Sequence, residues 1–309
     1  MPRSPKKKGH PRSAASASAA APYSIGDLAE ACGISVDTLR VWERRYGQPK
    51  PVRLPSGHRR YTEAHLRWLR RVTTALAAGH RAGEVVGASE QQLERMLENA
   101  AAIDAPPEEL DPFFEAVAAY RESPILDGLW EAWRRLGPEP FLDRILHPLL
   151  VRAGRAWQDG DLDVRHEHFL SDIVDHVLRA ARASIEVARD GRPIVLTTLP
   201  GELHGLGIQM AAIVAVRSGW RPHVLGVSTP LDEIVSAALE TKARAVGVSI
   251  SLHTGGVESD RQLAELRSRL APGLLLIAGG SGAKGVRRGP RGIEYAETLE
   301  ALRRILRAA

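Results

Sequence analysis

The hydrophobic period of the chain changes once, near residue 190, and this limits the possible folds more than any other feature. Before the change, apolar residues recur at helical spacing in four segments, around 113–121, 125–136, 139–157 and 164–189, separated by Pro or Gly. Four amphipathic helices with short connections predict a compact bundle over 111–190. After it, short apolar runs at 193–198, 222–227, 245–251 and 274–278 alternate with amphipathic stretches at 206–218, 231–241 and 260–270. Strands alternating with helices predict a doubly wound parallel sheet over 191–309, covered on both faces. No internal repeat is evident.

Charge divides the chain differently. Residues 1–81 hold 16 Lys/Arg against 5 Asp/Glu, a balance of +11, and the chain total of +5 leaves −6 for the remainder. Basic clustering of this kind attracts phosphate, so the front part is expected to face nucleic acid. Residues 1–21 are rich in Lys, Pro, Ser and Ala and poor in bulky apolar side chains. They cannot bury enough surface to fold and are expected to form a disordered basic arm. No apolar run approaches the ~20 residues that span a bilayer, and the Ala/Ser-rich stretch after Arg12 lacks the apolar core of a secretory signal. The single cysteine, Cys32, excludes an intrachain disulfide framework and a multi-cysteine metal site. A cytoplasmic location without membrane contact is expected.

Order is expected from Tyr23. Ile25, Leu28, Ala29 and Ala31 have helical spacing that ends at Cys32-Gly33. Ser35 suits the cap of a second helix carrying Thr38, Leu39, Trp42 and Tyr46, which Gly47 closes. Two short helices joined by a Gly-containing turn predict a helix-turn-helix. The second helix presents Arg40, Arg44 and Arg45, the donors a recognition helix needs at base edges and phosphates. A Pro- and Arg-rich loop over 48–61 supplies His58, Arg59, Arg60 and Tyr61 and reads as a basic wing. Leu39, Trp42 and Tyr46 are expected to pack, and Glu43 to orient an arginine.

Ile25-Gly26-Asp27-Leu28-Ala29, Thr38-Leu39-Arg40-Val41-Trp42-Glu43 and Gly57-His58-Arg59-Arg60-Tyr61 occur in order, and this string resembles the winged helix-turn-helix of MerR-family regulators. The resemblance covers about 23–90. It implies a DNA-binding domain, drawn at 22–92 and followed by a linker at 93–110, with double-stranded operator DNA as partner. Sensors of this family that bind heavy metals carry cysteines in a C-terminal helix, where this chain has none.

The first strand of the sheet runs into Leu199-Pro200-Gly201-Glu202-Leu203-His204-Gly205-Leu206-Gly207. Ligands of doubly wound sheets bind at the C-terminal ends of strands, so His204 lies where chemistry is expected. Imidazole is a competent cobalt ligand, and a carboxylate two residues earlier can fix its tautomer. Glu202-x-His204-x-x-Gly207 resembles the D-x-H-x-x-G signature of base-off/His-on cobalamin-binding domains, with Glu in place of Asp. Ser249-x-Ser251-Leu252 resembles the segment lining their nucleotide-tail channel, Gly279-Gly280 their glycine pair, and Leu225–Pro230 the end of their second strand. This resemblance implies a Rossmann-like (flavodoxin-like) cobalamin-binding domain with His204 as the lower axial ligand of cobalt.

In the bundle, Trp157 is followed after nine residues by Glu167-His168. This W-x9-E-H pattern resembles the helical cap of light-sensing B12 regulators of the CarH type. It implies that Trp157, Glu167 and His168 flank the upper axial face, over a 5′-deoxyadenosyl group. The resemblance further implies a repressor that binds operator DNA as a homo-oligomer, dimer or tetramer, assembled with adenosylcobalamin and released when light breaks the Co–C bond. Those light sensors carry a His directly after this Trp, whereas the position here is Gln158, with His166, His168 and His253 elsewhere nearby. A bilin or haem in the same pocket, or sensing without light, stays open. No catalytic barrel or substrate domain fits beside these modules, so an enzyme of methyltransferase or mutase type is not expected.

Overall fold

The computed structural model describes residues 21–32, 34–54, 57–77, 82–98, 107–188, 190–251, 254, 257–285 and 292–309. The expectations for the arm over 1–20, for residues 99–106 of the linker, and for Leu252 and His253 lie outside the described residues. The chain divides into two compact units, Met1–Val72 and Thr73–Ala309.

In the first unit, α1 (Ile25–Ala31) starts at a capping box. The Asp27 amide donates to Ser24 Oγ at 3.1 Å, and the Ser24 amide donates to Asp27 at 2.7 Å. Helix α2 (Val36–Tyr46) is capped by Ser35 and ended by Gly47, whose φ of 72° is the left-handed conformation glycine supplies without strain. Strands β1 (Val52–Arg53) and β2 (Arg59–Arg60) form the antiparallel wing, with Val52 opposite Arg60. A bridge between Tyr23 and Tyr61 ties the wing base to the start of the unit. Leu28, Leu39, Trp42, Tyr61, Leu66 and Leu69 are buried. Ala21, assigned to the arm, is buried, and the carbonyl of Pro22 accepts from Arg60 at 3.2 Å. Helix α3 (Glu63–Ala77) follows the wing.

The second unit continues through α4 (Ala82–Val85) and α5 (Glu90–Glu98) to the bundle: α6 (Pro107–Ala118), α7 (Glu122–Leu136), α8 (Pro138–Phe141), α9 (His147–Asp159) and α10 (Val164–Ala183). The expected helix over 139–157 is interrupted by a π-turn, Leu142–Leu146. Pro148 lacks an N–H and its ring crowds the carbonyl four residues back, and a widened turn relieves both. Helix α10 stops short of the expected 189. Ser184 ends it, its hydroxyl donating to the Ala181 carbonyl at 2.7 Å.

Strands β3 (Arg192–Thr198), β4 (Trp220–Gly226), β5 (Ala245–Ser249), β6 (Leu275–Gly279) and β7 (Glu294–Ala296) form a parallel sheet in the order β4-β3-β5-β6-β7. Helices α11 (Leu206–Arg217), α12 (Leu231–Glu240), α13 (Val257–Arg269) and α14 (Leu299–Ala308) complete it. This is the flavodoxin-like order, and the direction of sheet growth reverses between β3 and β5. The crevice therefore opens beside Thr198 and Ser249, which are register partners. One continuous core joins Leu129, Leu146 and Val174 of the bundle to Leu196, Ile213 and Trp220 of the sheet domain. Helix α10 packs directly on α11. Bundle and one face of the sheet thus share an apolar interior, and a second core, with Val195, Ile234 and Leu263, fills the opposite face.

Candidate functional site

On the first unit, Arg40, Arg44 and Arg45 are exposed on α2. Arg40 pairs with Asp37 at 3.0 Å, and the Arg45 guanidinium lies 5.4 Å from the centre of the Tyr46 ring. His58 and Arg59 are exposed on the wing, and Arg60 is half-buried. Tyr61, expected at the DNA surface, is fully buried. Its phenol donates to Glu43, and burial together with that carboxylate pushes its pKa up. The same Glu43 holds Arg59 at 3.0 Å. Glu43 therefore fastens the wing to α2 by two contacts, and Tyr61 acts from inside. Cys32 is buried, which pushes its thiol up to about 12 and makes it a poor thiolate donor.

In the second unit the strand-end loop after β3 is built around Glu202, whose side chain is 2% exposed. Its Oε1 accepts from His204 Nδ1 at 2.6 Å and from the His204 amide at 2.8 Å. Its Oε2 accepts from the Ser251 amide at 2.8 Å and from the Thr254 hydroxyl. Burial pushes this carboxyl up, but the bonds from His204, Thr254 and Ser251 together outweigh it and bring it down to about 2. The bond to Glu202 raises the pKa of His204 against the opposing effect of burial, and Glu167 of α10 adds to the rise. The bundle's carboxylate thus bears electrostatically on the loop histidine.

The longer Glu reaches His204 in place of the shorter Asp of the resembled signature. With Nδ1 committed to a carboxylate, a metal bond would fall to Nε2 of a side chain that is half-exposed. Ser251 Oγ lies 3.2 Å from the same Nδ1. The glycines are set by close approach. A Cβ on Gly207 would stand 2.3 Å from Ser249 Oγ, and one on Gly280, whose φ is +94°, would stand 2.4 Å from the Ile250 carbonyl oxygen. Gly279 lies against the Ala296 backbone. An imidazole braced by a buried carboxylate, beside a glycine-walled crevice, fits a ligand that carries a metal such as cobalt.

Sequence reasoning missed the fasteners of this loop. Thr198 Oγ1 donates to the Glu202 carbonyl at 2.7 Å and accepts from the Ser228 amide at 2.7 Å. Thr254 binds the carboxylate itself. Isolated Thr and Ser residues at strand ends carry no spacing signal, so only the fold reveals them. In the bundle, Trp157 is buried on α9, and Glu167 accepts from Ser171 Oγ at 2.7 Å. His168 is exposed, 3.8 Å from Glu167. His166, noted as a nearby imidazole, is engaged elsewhere. Its Nδ1 accepts from the Asp163 amide at 3.1 Å, and its ring stacks on Tyr120. Among the described residues no helix is long and apolar enough to cross a membrane.

Comparison with known proteins agrees with this organisation. Residues 23–91 match the model of the MerR HTH family regulatory proteins, and residues 192–303 and 109–182 match two models of B12 binding domains. The chain is 32% identical to the HTH-type transcriptional repressor CarH of Myxococcus xanthus over 269 residues, 85% of this chain and 90% of that protein. It is 27% identical to the HTH-type transcriptional repressor CarA of the same organism over 282 residues, 90% and 94% of the two chains. The solved structure of the Methanosarcina barkeri monomethylamine corrinoid protein matches with a TM-score of 0.54 at 13% identity, covering 65% of this chain and 98% of that one, a likeness of fold. The chain belongs to the CarH-like family of MerR-type helix-turn-helix transcriptional regulators with B12-binding domains.

Proposed function

We propose that this protein is a cobalamin-dependent, light-responsive transcriptional repressor and not an enzyme. It binds double-stranded operator DNA as a homo-oligomer that assembles with adenosylcobalamin. The observation that carries the ligand is the Glu202–His204 pair, with Nδ1 held at 2.6 Å by a buried carboxylate. His204 would take the lower axial position on cobalt, with Glu202 fixing its tautomer and basicity. Gly207, Ser249, Ser251, Gly279 and Gly280 would line the channel for the nucleotide tail. Trp157, Glu167 and His168 would cover the upper face, the indole by stacking and the carboxylate by accepting from ribose hydroxyls. When bound, adenosylcobalamin supplies a Co–C bond that light can break. Because the bundle and one face of the sheet share a core, a change at the upper face biases how the bundle packs, and with it the oligomer. Arg40, Arg44 and Arg45 would contact the groove, with His58, Arg59 and Arg60 on phosphates or in the minor groove.

Size-exclusion chromatography of the full chain with adenosylcobalamin, dark and illuminated, with absorbance recorded, tests this reading. A larger assembly in the dark that dissociates on illumination is expected. Cobalamin retained at unchanged assembly size would remove light from the reading, in line with Gln158 after Trp157, and leave ligand binding in place. His204→Ala is expected to lose the His-on absorbance. Glu202→Gln is expected to weaken it and to destabilise the fold by about 1–3 kcal/mol, since the buried donors lose a charged acceptor. An unchanged spectrum in both variants would overturn the lower-ligand assignment.

A further inference from the structure

Tyr120 occupies a position that ordinarily belongs to glycine. Helix α6 ends with the Arg121 amide donating to the Ala116 carbonyl at 2.8 Å and the Tyr120 amide to the Val117 carbonyl at 3.1 Å. These are the paired bonds of a Schellman ending, and they place Tyr120 at the residue that must turn left-handed. Its φ is 51°. A bulky side chain in that conformation is strained, and such strain is held where the surroundings use the side chain. Packing alone explains little here, because Tyr120 is 46% exposed.

The ring has a definite task. It stacks on His166 with centroids 4.9 Å apart and planes 25° from parallel, and it meets Phe169 at 5.3 Å. His166 and Phe169 stand one turn apart on α10, so one ring grips one face of that helix at its start. The His166 ring is fixed from its other edge by the Asp163 amide at the helix cap. Glu167 is the next residue, about 100° around the helix. It is anchored by Ser171.

We infer that Tyr120 and His166 form a positioning clamp that fixes the rotation of α10 and thereby sets Glu167 for recognition of the ligand's upper, nucleoside-bearing face. A carboxylate rides roughly 5–6 Å from the helix axis, so a turn of ~20° would move it ~2 Å, enough to lose a hydrogen bond. The clamp touches neither the lower ligand nor the tail channel. Its loss should change which upper group is preferred without changing how cobalt is held from below.

This inference rests on the adenosylcobalamin reading above, and its test separates the two. The full chain and its variants are titrated in the dark with adenosylcobalamin and with methylcobalamin, and spectra are recorded with each. Wild type is expected to prefer the adenosyl form. Tyr120→Gly satisfies the left-handed turn without strain, so it should keep its thermal midpoint and its His-on absorbance. It should lose at least about tenfold of the adenosyl preference. His166→Ala should lose a similar factor, and Tyr120→Phe, which keeps the stack, should retain the preference. Full preference in Tyr120→Gly, or equal binding of both cobalamins by wild type, overturns the clamp and leaves cobalamin binding intact. A wild type that binds neither overturns the function proposed above, and the clamp with it.

Discussion

Gly207 shows how one residue's role changes once its neighbour is known. The sequence marks it as part of a spaced signature, whereas its position in the fold is dictated by Ser249, whose hydroxyl lies where a Cβ would go. Gly207→Ala is therefore expected to destabilise the second unit by about 1–3 kcal/mol through overpacking against the sheet. Because the Ser249 Cβ would stand at an ordinary 3.4 Å, Ser249→Ala should restore more than half of that loss in the double variant. Urea unfolding of the four proteins completes the cycle, and strictly additive effects would show that the clash lies elsewhere. Glu202 is the complementary case. Its type and spacing to His204 were legible, yet the four donors that hold its pKa below the ordinary carboxylate range come from two separate chain segments, His204 and the loop of Ser251 and Thr254.

Among the elements, the junction of wing and α3 has a built-in acid sensitivity. The Thr62 amide donates to His65 Nδ1 at 3.0 Å, so the imidazole serves as an acceptor at the helix start. Burial lowers the pKa of His65, against a smaller opposing effect from the Lys50 backbone. The neutral form is thus favoured by folding. Its contribution is fully present above the unfolded histidine value near 6.5 and is lost as pH falls through the lower folded value. Hydrogen exchange of the amides of α3 should accelerate as pH falls below about 6.5, beyond the intrinsic chemical trend, and His65→Asn should flatten that excess. Equal slopes in both proteins would remove His65 from the account. The wing was legible as an Arg-rich loop with a Pro-Ser-Gly turn. The inward turn of Tyr61 was not, because the pattern of alternating side chains over two-residue strands is too short to fix a face.

At the scale of the whole molecule, the bundle and the sheet are expected to unfold as one body. One apolar cluster joins the bundle to one face of the sheet, while a second, separate cluster fills the other face. Arg303 of α14 pairs with Asp143 of the π-turn at 2.8 Å, and Trp220 Nε1 donates to the Leu306 carbonyl at 2.9 Å. Variants that keep only Trp133, in the bundle, or only Trp220, in the sheet domain, should report the same urea midpoint by fluorescence. Arg303→Met should shift both midpoints together. Midpoints separated by more than about 1 M urea would mean that the two layers are independent. The sequence draws these layers as two segments, 111–190 and 191–309, because the change of period near residue 190 marks a boundary of pattern and says nothing of shared burial. The final strand and helix also escaped it. Glu294–Ala296 is too short for a period to show, although Thr298 as a cap and Leu302 with Leu306 gave α14 a readable start and face.

By itself the sequence determined the order of the modules, the type of most secondary elements and the family. Periodicity, caps and ordered motifs are local quantities that a chain carries before it folds. It also placed His204 at a strand end, since the alternation of strands and helices fixes which loops lie at the C-terminal edge of the sheet. Only the tertiary structure decided that Ser251 and Thr254 would converge on Glu202, and that Glu43 would bind both Arg59 and Tyr61. It also decided that Tyr120, 46 residues before His166, would close over α10. Those contacts join residues far apart in the chain, and their geometry depends on the crossing of helices and the register of strands.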